Sequence, residues 1–164
     1  MRICLAERSD VPALARLMTD SPLLARYRTT FESSSVALDD AFACDDLVLL
    51  AREDGVWPPL GFAWLSFAPR MLNGAAYLRL LLVAGPAQGH RVGSQLLDEA
   101  EERSRARANH LYLLATIDNT RARRFYERHG YRHVGDLPGL VWSDLDEALY
   151  WKRLAPQQSA ADEH

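Results

Sequence analysis

The sequence predicts an α+β domain, layered α/β/α, with a mixed, mostly antiparallel central sheet of about seven strands flanked by about four helices. Three observations predict it. Short apolar runs bounded by turn residues recur along the chain, separated by stretches with helical spacing. Three of these runs, Leu47 to Arg52, Leu60 to Phe67 and Ala75 to Val83, follow one another through short turns, Glu53-Asp54-Gly55 and Asn73-Gly74 among them, which marks an antiparallel meander. From Ala75 onward the pattern becomes strand, long helix, strand, a crossover whose two strands run parallel.

Taken in order, Arg2 to Glu7 form a first strand. Ser9 or Asp10 then caps a helix carrying Val11, Leu14, Ala15, Leu17 and Met18, with Pro12 in its first turn, where a missing N–H is tolerated. From Ser21 to Ala43 the pattern is mixed. Leu23, Leu24 and Tyr27 suggest a turn or two of helix, Ser33-Ser34-Ser35 reads as a break, and Val36 to Phe42 as a second short helix. The meander follows, with Pro69 closing its second strand. Val92, Leu96, Leu97 and Ala100 then repeat at helical spacing in a helix expected from near Gly89 to about Ala108. Glu99–Arg103 and Glu101–Arg105 are its i,i+4 supports.

His110 to Ile117 is the fifth strand. Asp118-Asn119-Thr120 offers N-caps to a helix bearing Ala122, Phe125, Tyr126 and His129 on one stripe, and Gly130 stops it. Tyr131 to Val134 resumes a strand, Asp136 to Asp146 reads as a loop, and Glu147 to Leu154 is the last strand. Residues 1–154 make one domain, and the polar tail 155–164 is expected to fray.

Hydrophobic residues make up 48% of the chain and charged residues 25%, so a folded core is the expectation. A formal net charge of −3 gives no basis for nucleic-acid binding. Cys4 and Cys44 fit neither a disulfide framework nor a zinc site, and the histidines lack ligand partners at suitable spacing, so no metal is expected. No apolar run approaches membrane-spanning length, and the N-terminus MRICLAERSD lacks a signal-peptide core. A cytoplasmic protein with no membrane partner is therefore expected.

The stretch best suited to a ligand is Gln88-Gly89-His90-Arg91-Val92-Gly93-Ser94, with two glycines at the mouth of a helix. A helix start leaves N–H groups without partners, and glycines let a ligand approach them, which favours an anion, above all a phosphate. The same glycines also serve as plain turn residues. Neither Gly-x-x-x-x-Gly-Lys-Ser/Thr nor Gly-x-Gly-x-x-Gly occurs here, which argues against a nucleoside triphosphatase or a dinucleotide dehydrogenase.

Gln88-Gly89-His90-Arg91-Val92-Gly93 is similar to a phosphate loop of the pattern Gln/Arg-x-x-Gly-x-Gly/Ala. Asn119, Ala122, Phe125, Tyr126, Gly130 and Tyr131 match Asn-x-x-Ala-x-x-Phe-Tyr followed by Gly-Phe/Tyr. In this order of elements the chain resembles the GNAT superfamily of N-acetyltransferases. The resemblance implies a sheet splayed between strands 4 and 5, acetyl-CoA as cofactor, and transfer of acetyl to a primary amine of a small molecule or peptide by direct attack on the thioester. It implies a pyrophosphate held by Gln88, Gly89, His90, Arg91, Val92, Gly93 and Ser94. The pantetheine arm would lie along the backbone of Leu81, Leu82 and Val83, with the Val83 N–H toward the thioester oxygen. Asn119, Arg121, Ala122, Phe125 and Tyr126 would complete the cofactor site, and Tyr126 matches the tyrosine that donates to the sulfur, a general acid. Homodimers are common in the family. One position departs from the motif: Arg91 stands where the loop has its middle glycine. Either the position needs a conformation open only to glycine and the loop is altered, or, as is expected here, it has ordinary helical geometry and the guanidinium adds a cation near phosphate.

Without the resemblance, Tyr126 reads as a core tyrosine and Asn119 as a helix cap. Many relatives carry a Glu base on the central strand where this chain has Arg79, which stays protonated. Asp20, Glu32, Glu53, Asp118 or a water chain are the candidates for the base. Arg79, alone in an apolar strand and placed on one face with Tyr77, Leu81 and Val83, either binds a carboxylate or phosphate of the acceptor or closes an ion pair with a buried acid. The acceptor is expected between the Ser21–Ala43 segment and the Asp136–Asp146 loop, where Tyr27 and Trp142 either line the pocket or are ordinary aromatics. The missing strand carboxylate leaves a second reading, a non-catalytic acyl-CoA-binding sensor on the same fold. A structural interaction domain that binds no nucleotide is a third.

Overall fold

The computed structural model describes residues 1–154; the tail expected to fray lies outside them. The strands are β1 (Arg2–Leu5), β2 (Leu47–Arg52), β3 (Gly61–Ala68), β4 (Ala75–Val83), β5 (His110–Thr116), β6 (Arg132–Trp142) and β7 (Leu145–Arg153). The helices are α1 (Val11–Thr19), α2 (Pro22–Ala25), α3 (Phe31–Ala43), α4 (Val92–Ser104) and α5 (Thr120–Arg128). The strands form one sheet in the order β1-β2-β3-β4-β5-β7-β6. Among the paired strands β4 and β5 alone run parallel, and the crossover helix α4 joins them; every other pairing is antiparallel.

Both faces of the sheet are covered, which is why its central strands read as continuous apolar runs instead of alternating ones. Leu49, Leu65, Leu111, Leu113 and Tyr150 pack on one face with Leu96 and Leu97 of α4. Val48, Leu50, Phe62 and Trp64 pack on the other with Leu14 of α1 and Leu38 of α3. The α+β layering and the meander are as expected from the sequence.

Four local expectations are corrected. The three serines do not break a helix. Thr30 Oγ1 accepts from Ser33 N at 3.1 Å and Ser33 Oγ accepts from Thr30 N at 3.0 Å, a reciprocal cap that starts α3 and runs it unbroken to Ala43. Helix α4 begins at Val92 and ends at Ser104, because Arg91 at its N-cap is left-handed and cannot extend the helix back to Gly89. Glu101 does not pair with Arg105, which turns to Glu102. Glu101 faces inward instead, taking a hydrogen bond from Tyr131 Oη at 3.0 Å and one from Lys152 Nζ at 2.6 Å, and so ties α4 to the far side of the sheet. Finally, β6 continues through most of the stretch expected to be a loop. Leu137-Pro138-Gly139 is accommodated because β6 is the outermost strand, with registry shifts after His133 and Leu137, so Pro138 needs no ladder partner.

Candidate active site

The ladder between β4 and β5 runs only from Ala75↔His110 to Leu78↔Leu113. Beyond it the two strands part, and the edges of Arg79–Val83 and Leu114–Thr116 that face each other are unpaired. A bulge sits at the fork: Trp64 opposes Leu80 and Leu65 opposes Leu78, so Arg79 has no counterpart on β3. A bulge bends its strand and increases local twist, which supplies the divergence. It also resets the alternation of side chains. Leu78, Leu81 and Val83 all pack on the α4 face, whereas Leu80 and Leu82 pack with α1 and α3. The sequence groups Arg79 with Tyr77, Leu81 and Val83; the bulge removes Leu81 and Val83 from that face, and Arg79 instead lies with its guanidinium 4.7 Å from the Trp64 ring centre.

A cavity of about 350 Å³ passes through the fork. Met18, Leu24, Tyr27 and Trp64 line it on one face of the sheet, and Asn119, Ala122 and Tyr126 on the other. Asn119 Oδ1 accepts from Ala122 N at 3.1 Å, so it is the cap expected of it while also lining the cavity. Tyr126 is 8% exposed. Burial, and secondarily the nearby Tyr77 phenol, push its ionisation well above the ordinary tyrosine range, so its hydroxyl holds its proton.

On the α4 side the turn from Gln88 to Ser94 carries the features of an anion site. Among the described residues, none of the main-chain N–H groups from Gly89 to Ser94 meets a protein acceptor. A Cβ at Gly93 would lie 3.5 Å from Val83 Cγ2 and 3.7 Å from Phe125 Cζ, ordinary contact distances that place the turn against β4 and α5. Gln88 braces the turn, its Nε2 donating to the Val83 carbonyl at 3.2 Å and its Oε1 accepting from Arg121 at 3.0 Å. His90 and Arg91 are exposed on it, while Val92 turns its side chain into the core and has only its amide to offer. Arg91 departs from the expected helical geometry: its φ is +62°, so the position does use the conformation that glycine supplies in the motif. Ala84 N donates to Leu60 O at 2.8 Å, so by strand alternation the Val83 N–H points into the fork. Leu82 is buried on the opposite face and presents only main chain to this side.

The acceptor side holds a residue that the sequence reading missed. Glu147 of β7 is paired in register with Thr116 and lines the cavity at 1% exposure. Tyr27 Oη donates to Glu147 Oε1 and lies 2.8 Å from Thr116 Oγ1, while Glu147 Oε2 is buried without a partner among the described residues. Burial raises the Glu147 carboxyl above the ordinary glutamate range, and the Tyr27 hydrogen bond and Arg26 only partly offset this. Burial and then the bond to Glu147 push the Tyr27 phenol up to about 12. Of the candidate bases named from the sequence, Asp20, Glu32 and Glu53 are exposed and lie outside the cavity lining. Asp118 is exposed too, held by both Nη atoms of Arg26 at 2.9 Å. The one signal in the sequence is a carboxylate at the head of the run Ala148-Leu149-Tyr150-Trp151.

Tyr27 therefore lines the pocket, and Trp142 does not. Trp142 Nε1 donates to the Tyr27 carbonyl at 3.2 Å and its ring lies 4.0 Å below the Arg28 guanidinium, so it tethers the segment after α2 to the β6–β7 hairpin. Arg79 makes no ion pair among the described residues, which removes the structural pairing considered for it. Among the described residues no cluster of His, Cys, Asp and Glu could hold a metal ion, and no helix is long and apolar enough to cross a membrane.

A forked sheet with an amide-lined turn on one side is the architecture of a known class. The chain belongs to the acetyltransferase (GNAT) family, whose model matches residues 12–131. Its fold is similar to that of the ribosomal-protein-alanine N-acetyltransferase from Brucella melitensis, at 21% identity and TM-score 0.75 over 94% of this chain and 100% of that one. It is similar to an aminoglycoside 6'-N-acetyltransferase complexed with coenzyme A, at 19% identity and TM-score 0.74 over 96% and 99%. It is also similar to yncA from Salmonella typhimurium, solved with its cofactor acetyl-CoA, at 18% identity and TM-score 0.75 over 100% and 99%. Comparison with curated proteins found no match.

Proposed function

We propose that the protein transfers the acetyl group of acetyl-CoA directly to a primary amine, with Tyr126 as general acid and Glu147 as general base. The observation that carries this reading is the cavity through the fork, which Tyr126 lines from one face and Glu147 from the other. Solved relatives in the same fold bind coenzyme A and acetyl-CoA. The residues here fit that group: free amides from Gly89 to Ser94 suit a diphosphate, and the open edge of β4 at Leu81, Leu82 and Val83 suits an extended arm with amides of its own. Arg121, Ala122 and Phe125 of α5 would flank it.

Acetyl-CoA supplies the acyl group as an activated thioester. The chain supplies the proton traffic and the alignment. Glu147 Oε2, already without a partner, takes the proton of the incoming amine, and Tyr27, itself bonded to Thr116, holds the carboxylate in place. The Val83 N–H stands where negative charge on oxygen develops, a fixed donor in a site of low dielectric. Tyr126, which burial keeps protonated at neutral pH, donates its proton to the departing sulfur as negative charge develops there.

An acid and a base that line one cavity, Tyr126 and Glu147, favour turnover over a sensor that only binds. Thiol release from acetyl-CoA against a panel of amines tests this. Tyr126→Phe should lower kcat roughly 10²- to 10⁴-fold while leaving coenzyme A binding intact. Binding of coenzyme A without thiol release on any amine would return the sensor reading.

A further inference from the structure

Resting on that acetyl-transfer reading, we infer that the acceptor is a small amine bearing a carboxylate on an apolar body, its nitrogen at Glu147 and its carboxylate at Arg79. Among the described residues these are the two charged side chains that line the cavity, and they are of opposite sign. Neither is neutralised from within the protein. Glu147 keeps a buried oxygen unpartnered, and Arg79 has no carboxylate beside it. Arg79 is held in place without losing its donors: its guanidinium sits over Trp64, whose indole N–H is anchored on Asp46 Oδ2 at 2.7 Å. A guanidinium over a ring keeps its in-plane N–H fork free, and that fork matches a planar carboxylate.

The two charges are within reach of one small molecule. Both line one cavity together with Tyr77. The wall around them is apolar, with Met18, Leu24, Trp64 and Leu80, and the whole space, about 350 Å³, lies at the lower end for small-ligand sites. A polycation meets a single carboxylate and a repelling arginine there. An amine without an anion leaves Arg79 unpaired. An amino-carboxylate with an apolar side chain satisfies both ends and the wall.

Rates with matched pairs that differ only in the carboxylate test this: phenylalanine and phenethylamine, leucine and isoamylamine. In at least one pair the wild-type protein should favour the amino acid in kcat/KM by about tenfold or more. Arg79→Met should bring that ratio near one, and Arg79→Lys should restore part of it. Equal or faster turnover of the plain amines by the wild type, or a preference that survives in Arg79→Met, overturns the inference. Acetylation of other amines in the panel but of neither amino acid overturns the inference alone; should no amine at all release thiol, the transfer reading has failed, and calorimetry of the same pairs with the coenzyme A-loaded protein decides the inference separately. Binding of an amino acid over its amine that Arg79→Met abolishes upholds it; equal binding, or none, overturns it.

Discussion

The two faces of the fork offer a ligand different kinds of group. On the α4 and α5 face the groups offered are mainly main chain: amides from Gly89 to Ser94 and the open edge of β4. On the α1 to α3 face they are side chains brought from four separate elements, with Tyr27 after α2, Arg79 on β4, Thr116 on β5 and Glu147 on β7. Main-chain recognition depends on backbone shape, which a few neighbouring residues impose. Side-chain recognition depends on which distant segments meet, so it varies freely while the scaffold stays constant. A fold of this kind can keep one donor and change its acceptor.

The largest effect that would break this division lies on the acceptor side. Glu147→Gln should lower kcat roughly 10²-fold or more with coenzyme A affinity unchanged. In the wild type, kcat/KM should rise with pH through an ionisation above the ordinary glutamate range, since burial raises this carboxyl. The groups facing it are Tyr27, Thr116 and Tyr77, with Arg26 and Asp118 further out. The stability effect has the opposite sense. A carboxyl whose folded pKa is raised binds more protons folded than unfolded, so stability falls as pH climbs from the unfolded value of 4.5 toward the raised one. Glu147→Gln should therefore melt no lower than the wild type at neutral pH. A variant that keeps both its rate and its pH profile removes Glu147 from the chemistry.

A middle-sized effect tests the scaffold that serves the donor side. A Cβ at Gly61 would lie 2.4 Å from the Leu82 carbonyl oxygen, and both partners are backbone, so neither can swing away. Gly61→Ala should cost about 1–3 kcal/mol in urea unfolding. It should also raise KM for acetyl-CoA more than for the amine, because the strand it displaces is the one proposed to hold the arm. An equal rise in both would blur the separation of the faces.

The smallest effect sharpens the comparison at the loop. Arg91 holds a left-handed conformation at φ +62° that costs a non-glycine residue roughly 1–2 kcal/mol. Arg91→Gly relieves this, but the freer unfolded chain takes back about 0.5–1 kcal/mol, so the net change in stability should stay within about 1 kcal/mol. Losing an exposed cation should weaken coenzyme A binding a few-fold and flatten its salt dependence, measured by titration at two ionic strengths.

Most of the donor side was legible beforehand. The crossover between β4 and β5, the cap at Asn119 and the inward stripe of α4 follow from residues adjacent in the chain, and all are present. Arg91 was misjudged because the type of a residue does not reveal its φ when neighbouring structure can force the less favoured one. The serines of α3 were misjudged for a related reason: the side-chain groups that compete with a helix in its middle complete it at its first turn. Strand β6 was shortened because Pro138 forbids a central strand and nothing local says that β6 is the edge.

By itself the sequence determined the layered α+β domain, the order of its elements, the turn of free amides and the tyrosine on α5, because each leaves a mark in local hydrophobic spacing, turn residues or short motifs. The tertiary structure alone decided which carboxylate faces the cavity and where Arg79 points. Glu147 becomes a candidate base only because β7 lies beside β5 and the segment after α2 folds across both, residues 27 and 147 meeting through one hydrogen bond. Arg79 changes company because a single unmatched residue on β4 shifts the alternation of everything beyond it. Burial and registry are properties of the assembled sheet, and no spacing along the chain carries them.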